Sequence, residues 1–211
     1  MSKNYDMKSK RTALITGCTG QDGSLMCKSL LSKQWKVIGL SREAKNDVIN
    51  HKKIGISKKV KLEKCEITDQ KKFIKLLLKY QPDEIYNLAA QSSVGKSFYE
   101  PSETFKSIVQ GTINILEACR KTNYLGRIFF AGSSEIFGNT DKAANIKHPQ
   151  NPASPYGIAK KTSLELVELY RKIYNIKCCT GVLFNHESIL RGDSFVVKKM
   201  IQNAIESQNN K

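Results

Sequence analysis

The chain has 211 residues, 40% of them hydrophobic, and 35 Lys and Arg against 19 Asp and Glu give a formal net charge of +16. That is long enough to bury one sizeable core and too short for two full domains. No apolar run approaches the ~18 residues of a membrane span, and the polar, lysine-rich stretch from Met1 to Arg11 lacks the apolar segment of a signal peptide, so a soluble, cytoplasmic protein is expected.

In chain order, the apolar run Thr12–Thr16 reads as a short buried strand and 23–33 as a helix, followed by a second strand over 36–40 that ends in Ser41 and Arg42. The pattern then repeats: strand 60–64, helix 69–80, strand 84–88, helix 102–121, strand Arg127–Ala131. A polar, proline-containing loop over 139–155 leads to a helix over 156–174, a sixth strand over 178–184 and a helical tail over 195–207. Strands alternating with helices predict an α/β fold, a Rossmann-like doubly wound parallel sheet with helices on both faces. In the helix over 102–121, Phe105, Ile108, Thr112, Ile115 and Cys119 recur at spacings of three and four, which assigns them to one face against the sheet.

The six cysteines (Cys18, Cys27, Cys65, Cys119, Cys178 and Cys179) contain no CxxC pair and no short-chain disulfide pattern. Five fall in segments read as core, so reduced bystanders are expected, and no metal site. The positive charge favours anionic partners such as nucleic acid, a dinucleotide or a nucleotide diphosphate sugar. The lysines are scattered, with few aromatic residues between them to stack on bases, which speaks against nucleic acid.

The first strand runs into Gly17-Cys18-Thr19-Gly20-Gln21-Asp22-Gly23, a GxxGxxG turn that opens a helix. Missing side chains there let backbone amides approach a pyrophosphate. Where an NAD enzyme usually places an acidic residue after the second strand, this chain has Ser41-Arg42, suited to a 2′-phosphate. NADP is therefore expected over NAD; an ordinary surface arginine beside Glu43 is the alternative.

Tyr156-Gly157-Ile158-Ala159-Lys160 is a YxxxK spacing that puts both side chains on one helical face. A lysine ammonium beside a phenol favours the phenolate, and a bound nicotinamide cation adds to this, so Tyr156 is expected to act as a base. Ser133-Ser134-Glu135 follows the fifth strand, at the carboxyl edge where such a sheet binds its ligand.

Together, TGCTGQDG, NLAAQSSV, the serine with YxxxK, and FNHESILRG resemble the extended short-chain dehydrogenase/reductases, and within them the GDP-mannose 4,6-dehydratase family, over residues 11–202. The resemblance implies that Ser133, where that family usually has threonine, holds the sugar O4 while Tyr156, supported by Lys160, takes its proton. Hydride passes from C4 to NADP⁺, Glu135 moves the C5 proton to the departing C6 hydroxyl, and the hydride returns to C6, so NADP is recycled. It further implies a cofactor site at Gly17, Thr19, Gly20, Gln21, Asp22, Gly23, Arg42, Glu66, Ile67, Leu88, Ala89, Ala90, Gln91, Ser92, Lys160, His186 and Arg191. The GDP-mannose or related nucleotide sugar would meet Ser92, Ser133, Glu135, Tyr156 and Asn185. His186 read without the family is structural.

The chain also departs from that family. Ser92-Ser93 replaces a serine–histidine pair, Glu66 an aspartate, Ile189-Leu190 a proline-containing pair, and the basic segment 43–59 a longer arginine-bearing loop. The implied organisation is a polar extension over 1–10, an NADP-binding domain over 11–192, and over 193–211 the start of a substrate domain that is largely missing. A homo-oligomer or a complementing C-terminal polypeptide is expected. Three readings stay open: a catalytic dehydratase, an NADP-binding fragment without turnover, and a basic polyanion-binding protein.

Overall fold

A computed structural model describes residues 10–43 and 48–209; most of the expected N-terminal extension and part of the basic segment lie outside them. Six strands form one parallel sheet in the order β3-β2-β1-β4-β5-β6: β1 Thr12–Thr16, β2 Lys36–Ser41, β3 Lys61–Lys64, β4 Glu84–Asn87, β5 Arg127–Ala131 and β6 Cys178–Gly181. The chain leaves β1 toward one edge and, from β4 onward, builds toward the other, so a crevice opens between the carboxyl ends of these two neighbours. At its floor the Thr16 hydroxyl donates to Asn87 Oδ1 at 2.7 Å and accepts from the amides of Leu88 and Ala89.

Both faces of the sheet are covered, and the strands show it residue by residue. In β1, Leu14 faces one core, with Ile85, Ile115 and Ile128, while Ala13 and Ile15 face the other, with Cys27, Leu30 and Val37. The first core is closed by α3 Gln70–Tyr80, α6 Gly111–Lys121 and α7 Pro155–Tyr174, the second by α1 Gln21–Ser32. Helix α3 is amphipathic, with Phe73, Leu76 and Leu77 inward; Asp69 caps it by accepting from the Lys72 amide at 3.0 Å, and Gln81 ends it in a left-handed conformation. Burying a side chain such as Ile115 or Leu116, both fully inaccessible, stabilises the fold by about 1.5–3 kcal/mol each.

Three expectations are corrected. Two short helices escaped the periodicity reading, α2 Ile49–Lys53 and α4 Val94–Tyr99, because five or six residues complete too few turns to display a stripe. The helix expected over 102–121 is divided into α5 Pro101–Phe105, a π-helical segment Lys106–Gln110, and α6. The wider π turn breaks the 3.6-residue phase, so Phe105 is 37% exposed although Ile108, Thr112, Ile115 and Cys119 are buried as expected. Strand β6 stops at Gly181, short of the expected 184. Cysteines 18, 27, 65, 119 and 178 are buried, Cys179 is exposed, and all six are free. A last helix, α8 Val196–Asn209, carries the tail. Among the described residues no helix is long and apolar enough to cross a membrane, and no group of His, Cys, Asp and Glu could hold a metal ion.

Candidate active site

The glycine-rich turn sits at the carboxyl end of β1. Gly17 has φ +66°, and a Cβ there would lie 2.7 Å from the Leu88 carbonyl; a Cβ on Gly23 would lie 2.1 Å from the Gly17 carbonyl. Both glycines are therefore required by the protein's own packing, one between turn and β4 loop, the other between turn and α1. Gly20 differs: the nearest atom to a Cβ there is 3.4 Å away, so its bareness serves the open side of the turn. It is also the N-cap of the twelve-residue α1 and has no side chain to satisfy the first amides. Bare amides at the positive end of a helix dipole suit a pyrophosphate.

Parallel pairing of Thr16 with Leu40 sets the end of β2 beside this turn, so Ser41 and exposed Arg42 follow it directly. The Cys65 amide donates to Ser41 O, bringing the exposed Glu66 after β3 to the same edge. The side chain of Ile67 is buried in the core against Gly111 and its carbonyl accepts from Asn114, so contact with an adenine there would fall to its backbone amide. Beyond β4, Leu88, Ala89 and Ala90 are half-buried. Gln91 anchors its own loop by bonds to Thr104 Oγ1 and to both backbone groups of Ser93, whereas Ser92 is exposed.

Ser133, Glu135, Tyr156 and Lys160 come together at the carboxyl end of β5. Ser133 is buried and caps the 3₁₀ turn Ser134–Ile136, its hydroxyl accepting from the Glu135 amide at 3.2 Å. Helix α7 is capped by Ser154, whose hydroxyl accepts from the Gly157 amide at 3.0 Å. Its first turn lies so close to the 3₁₀ turn that a Cβ on Gly157 would be 2.7 Å from the Glu135 carbonyl. Tyr156 and Lys160 follow on one face, with the ammonium 5.7 Å from the phenol ring centroid.

The ammonium donates to Ala131 O at 2.7 Å, and burial lowers the Lys160 pKa to about 8. Beside it is a cavity of about 10 Å³, room for about one water. Without the nicotinamide cation that the expectation also invokes, burial raises the phenol's pKa, and the nearby Glu135 and Asp22 carboxylates push the same way. Only a Ser133 hydrogen bond opposes them.

The segment after β6 reaches back to α1. His186 Nε2 lies 2.8 Å from Asp22 Oδ1 and Nδ1 2.7 Å from the Phe184 carbonyl, two acceptors that only an imidazolium satisfies together. The pKa of His186 is accordingly raised, first by that carbonyl and then by Asp22. Ser188 donates to Gln21 Oε1 at 2.9 Å. Gln21, Asp22 and His186, expected at the cofactor, thus bind one another. Arg191 is engaged by Glu187 through two hydrogen bonds and lies over the Phe195 ring at 4.1 Å, and Asn185 is exposed. Sequence reasoning missed Asn50 and His51, whose side chains bond the carbonyls of Thr19 and Cys18. The only signal was a polar pair in a basic segment, which spacing cannot distinguish from a solvated surface.

This arrangement has counterparts. Over residues 14–211 the chain matches the family model described as GDP-mannose 4,6 dehydratase. It is 38% identical over 205 residues to GDP-mannose 4,6 dehydratase 1 of Arabidopsis thaliana, covering 92% of this chain and 57% of the relative. Against GDP-mannose 4,6-dehydratase of Vibrio cholerae the values are 37% over 205 residues, 90% and 54%. The chain therefore spans about half the length of the curated relatives it matches. The dTDP-glucose 4,6-dehydratase of Streptomyces venezuelae, solved with NAD and TYD bound, shares the fold at TM-score 0.83 and 22% identity over 93% of this chain and 62% of that one. Sequence match and fold agree, and the chain belongs to the GDP-mannose 4,6-dehydratase family.

Proposed function

We propose that this chain is the dinucleotide-binding and catalytic part of a hydro-lyase that converts GDP-mannose to GDP-4-keto-6-deoxymannose, with NADP as recycled hydride carrier. The observation that carries the proposal is the convergence of Ser133, Glu135, Tyr156 and Lys160 at the carboxyl edge of β5, with the bare amides of the Gly17–Gly23 turn at the neighbouring strand end. These amides and the open side of Gly20 fit a dinucleotide pyrophosphate, and Arg42, exposed beyond β2, fits a 2′-phosphate.

Lys160 fixes the pocket by holding Ala131 O and aligning the phenol one helical turn away. Ser133 binds both the phenol and the sugar O4, and Tyr156 accepts the O4 proton as hydride leaves C4. When bound, the oxidised nicotinamide supplies the hydride acceptor and a positive charge that opposes the burial-raised pKa of Tyr156. The C4 ketone acidifies the C5 proton. Glu135 removes it and passes it to the C6 hydroxyl, which departs as water; C6 would take the hydride back from a bound reduced nicotinamide, and the proton that Tyr156 took from O4 would go to C5, leaving no net redox change. Glu135 is what separates this chemistry from epimerisation, which needs no acid and base at C5 and C6.

The test is incubation with GDP-mannose and NADP⁺, followed by mass spectrometry of the sugar nucleotide. Loss of one water that disappears in Glu135→Gln supports the proposal. Binding of NADP⁺ without turnover supports a second reading, that these residues act only when joined to the remaining length seen in relatives. The observation favouring it is the apolar stripe left open on α8, where Val196, Met200, Ile201 and Ile205 are each more than half exposed. A homo-oligomer or a complementing polypeptide would cover such a stripe.

A further inference from the structure

The glycine-rich turn does not hold its shape unaided. Its Gly20 amide donates to Gly17 O at 3.1 Å, closing the turn from within. From outside, helix α2 supplies two side chains: His51 Nε2 lies 2.9 Å from Cys18 O and Asn50 Nδ2 donates to Thr19 O at 3.0 Å. Ser24 Oγ donates to the same Cys18 carbonyl at 3.1 Å. His51 and Ser24 are fully buried, so both press that carbonyl toward the interior.

A trans peptide is planar, with its C=O and N–H pointing to opposite sides. Holding Cys18 O inward therefore turns the Thr19 amide outward, to the side where bare Gly20 leaves the turn open. Holding Thr19 O on Asn50 likewise turns the Gly20 amide to the opposite side of its peptide, where it meets Gly17 O. A carbonyl acceptor also fixes the proton of His51 on Nε2.

We infer that His51 and Asn50 are positioning residues for dinucleotide binding, orienting the Cys18–Thr19 and Thr19–Gly20 peptides so that the turn presents a donor to the pyrophosphate. The inference rests on the dinucleotide reading above and extends it to a helix outside the glycine motif. Neither residue touches the cofactor; each acts through a peptide group.

The test compares two ligands on the full 211-residue chain by titration calorimetry: ADP-ribose 2′-phosphate, which has the pyrophosphate, and adenosine 2′-monophosphate, which lacks it. His51→Leu, which keeps bulk and removes the donor, and Asn50→Ala, on a half-buried side chain, are each expected to weaken the first ligand about tenfold, the effect of losing one oriented hydrogen bond. Both should leave the second within twofold, as roughly expected when the lost hydrogen bond serves only the pyrophosphate. His51→Gln, whose amide nitrogen reaches the position of Nε2, is expected to restore most of the affinity. Equal loss for both ligands, or no loss in Asn50→Ala together with failed rescue by His51→Gln, overturns the positioning role alone. Absence of binding by the unsubstituted chain overturns the dinucleotide reading and this inference with it.

Discussion

Replacing Lys160 by Met should make the protein more stable at neutral pH. Burial lowers the Lys160 pKa from the ordinary 10.5 to about 8. At about 1.36 kcal/mol per pH unit, keeping that ammonium charged in the fold costs about 3 kcal/mol. Against this, Ala131 O loses its donor, worth about 1–3 kcal/mol for a buried acceptor. Methionine has similar length, so the net gain is on the order of 1 kcal/mol near pH 7. The sign follows from linkage: between the two pKa values the unfolded chain binds more protons than the folded one, so wild-type stability gains from this residue as pH rises from about 8 to 10.5. The variant lacks that gain and, above it, is the less stable protein. Urea unfolding of both proteins across this interval measures the difference directly. Parallel pH dependence in the two would refute the burial argument, and turnover of GDP-mannose should fall in the variant even as stability rises.

Gly157→Ala places a methyl 2.7 Å from the Glu135 carbonyl, a backbone atom that cannot swing away. About 1–3 kcal/mol of overpacking should appear as a lower melting temperature, and turnover should fall further than NADP affinity. The raised pKa of His186 means that its contacts with Asp22 and Phe184 stabilise the docked segment fully below the ordinary 6.5 and lose hold as pH climbs through the raised value. Amide exchange over 184–190 should therefore quicken with pH beyond the intrinsic rate, and His186→Ala should remove that dependence. Arg42→Ala should weaken NADP⁺ about tenfold in calorimetry and leave NAD⁺ unchanged if the guanidinium meets the 2′-phosphate. Glu117, half-buried beside Arg120 and Tyr170, has a pKa lowered to about 2, chiefly by the Arg120 hydrogen bond. Glu117→Gln should lower stability by about 1 kcal/mol near pH 7, with the gap closing as pH falls toward about 2.

The strands β1 and β2 were legible because they are buried on both faces and read as apolar runs, Ala13–Ile15 and Val37–Ile38, which no amphipathic helix imitates. The catalytic group was legible for a different reason: YxxxK is a local spacing, and the end of β5 is fixed by strand order. What spacing could not convey is environment. The sign of the Tyr156 shift depends on burial and on carboxylates from two other segments, and the packing of Ile67 against Gly111 joins residues far apart in the chain. The π segment was invisible because nothing in 106–110 departs from helical composition; only the exposure of Phe105 reveals the lost phase.

The bonds from His186 to Asp22 and from Ser188 to Gln21 join residues 164 and 167 positions apart. During synthesis the glycine-rich turn emerges early, yet the segment that docks on its helix is made after every strand of the sheet. Contacts of such long range form late, since the intervening loop must first be closed by other structure. A nascent chain released before residue 184 would hold all six strands and still lack the Asp22 and Gln21 contacts. The helix that opens the glycine-rich turn would then gain its last side-chain partners only once the segment after β6 has docked, the sheet being already complete.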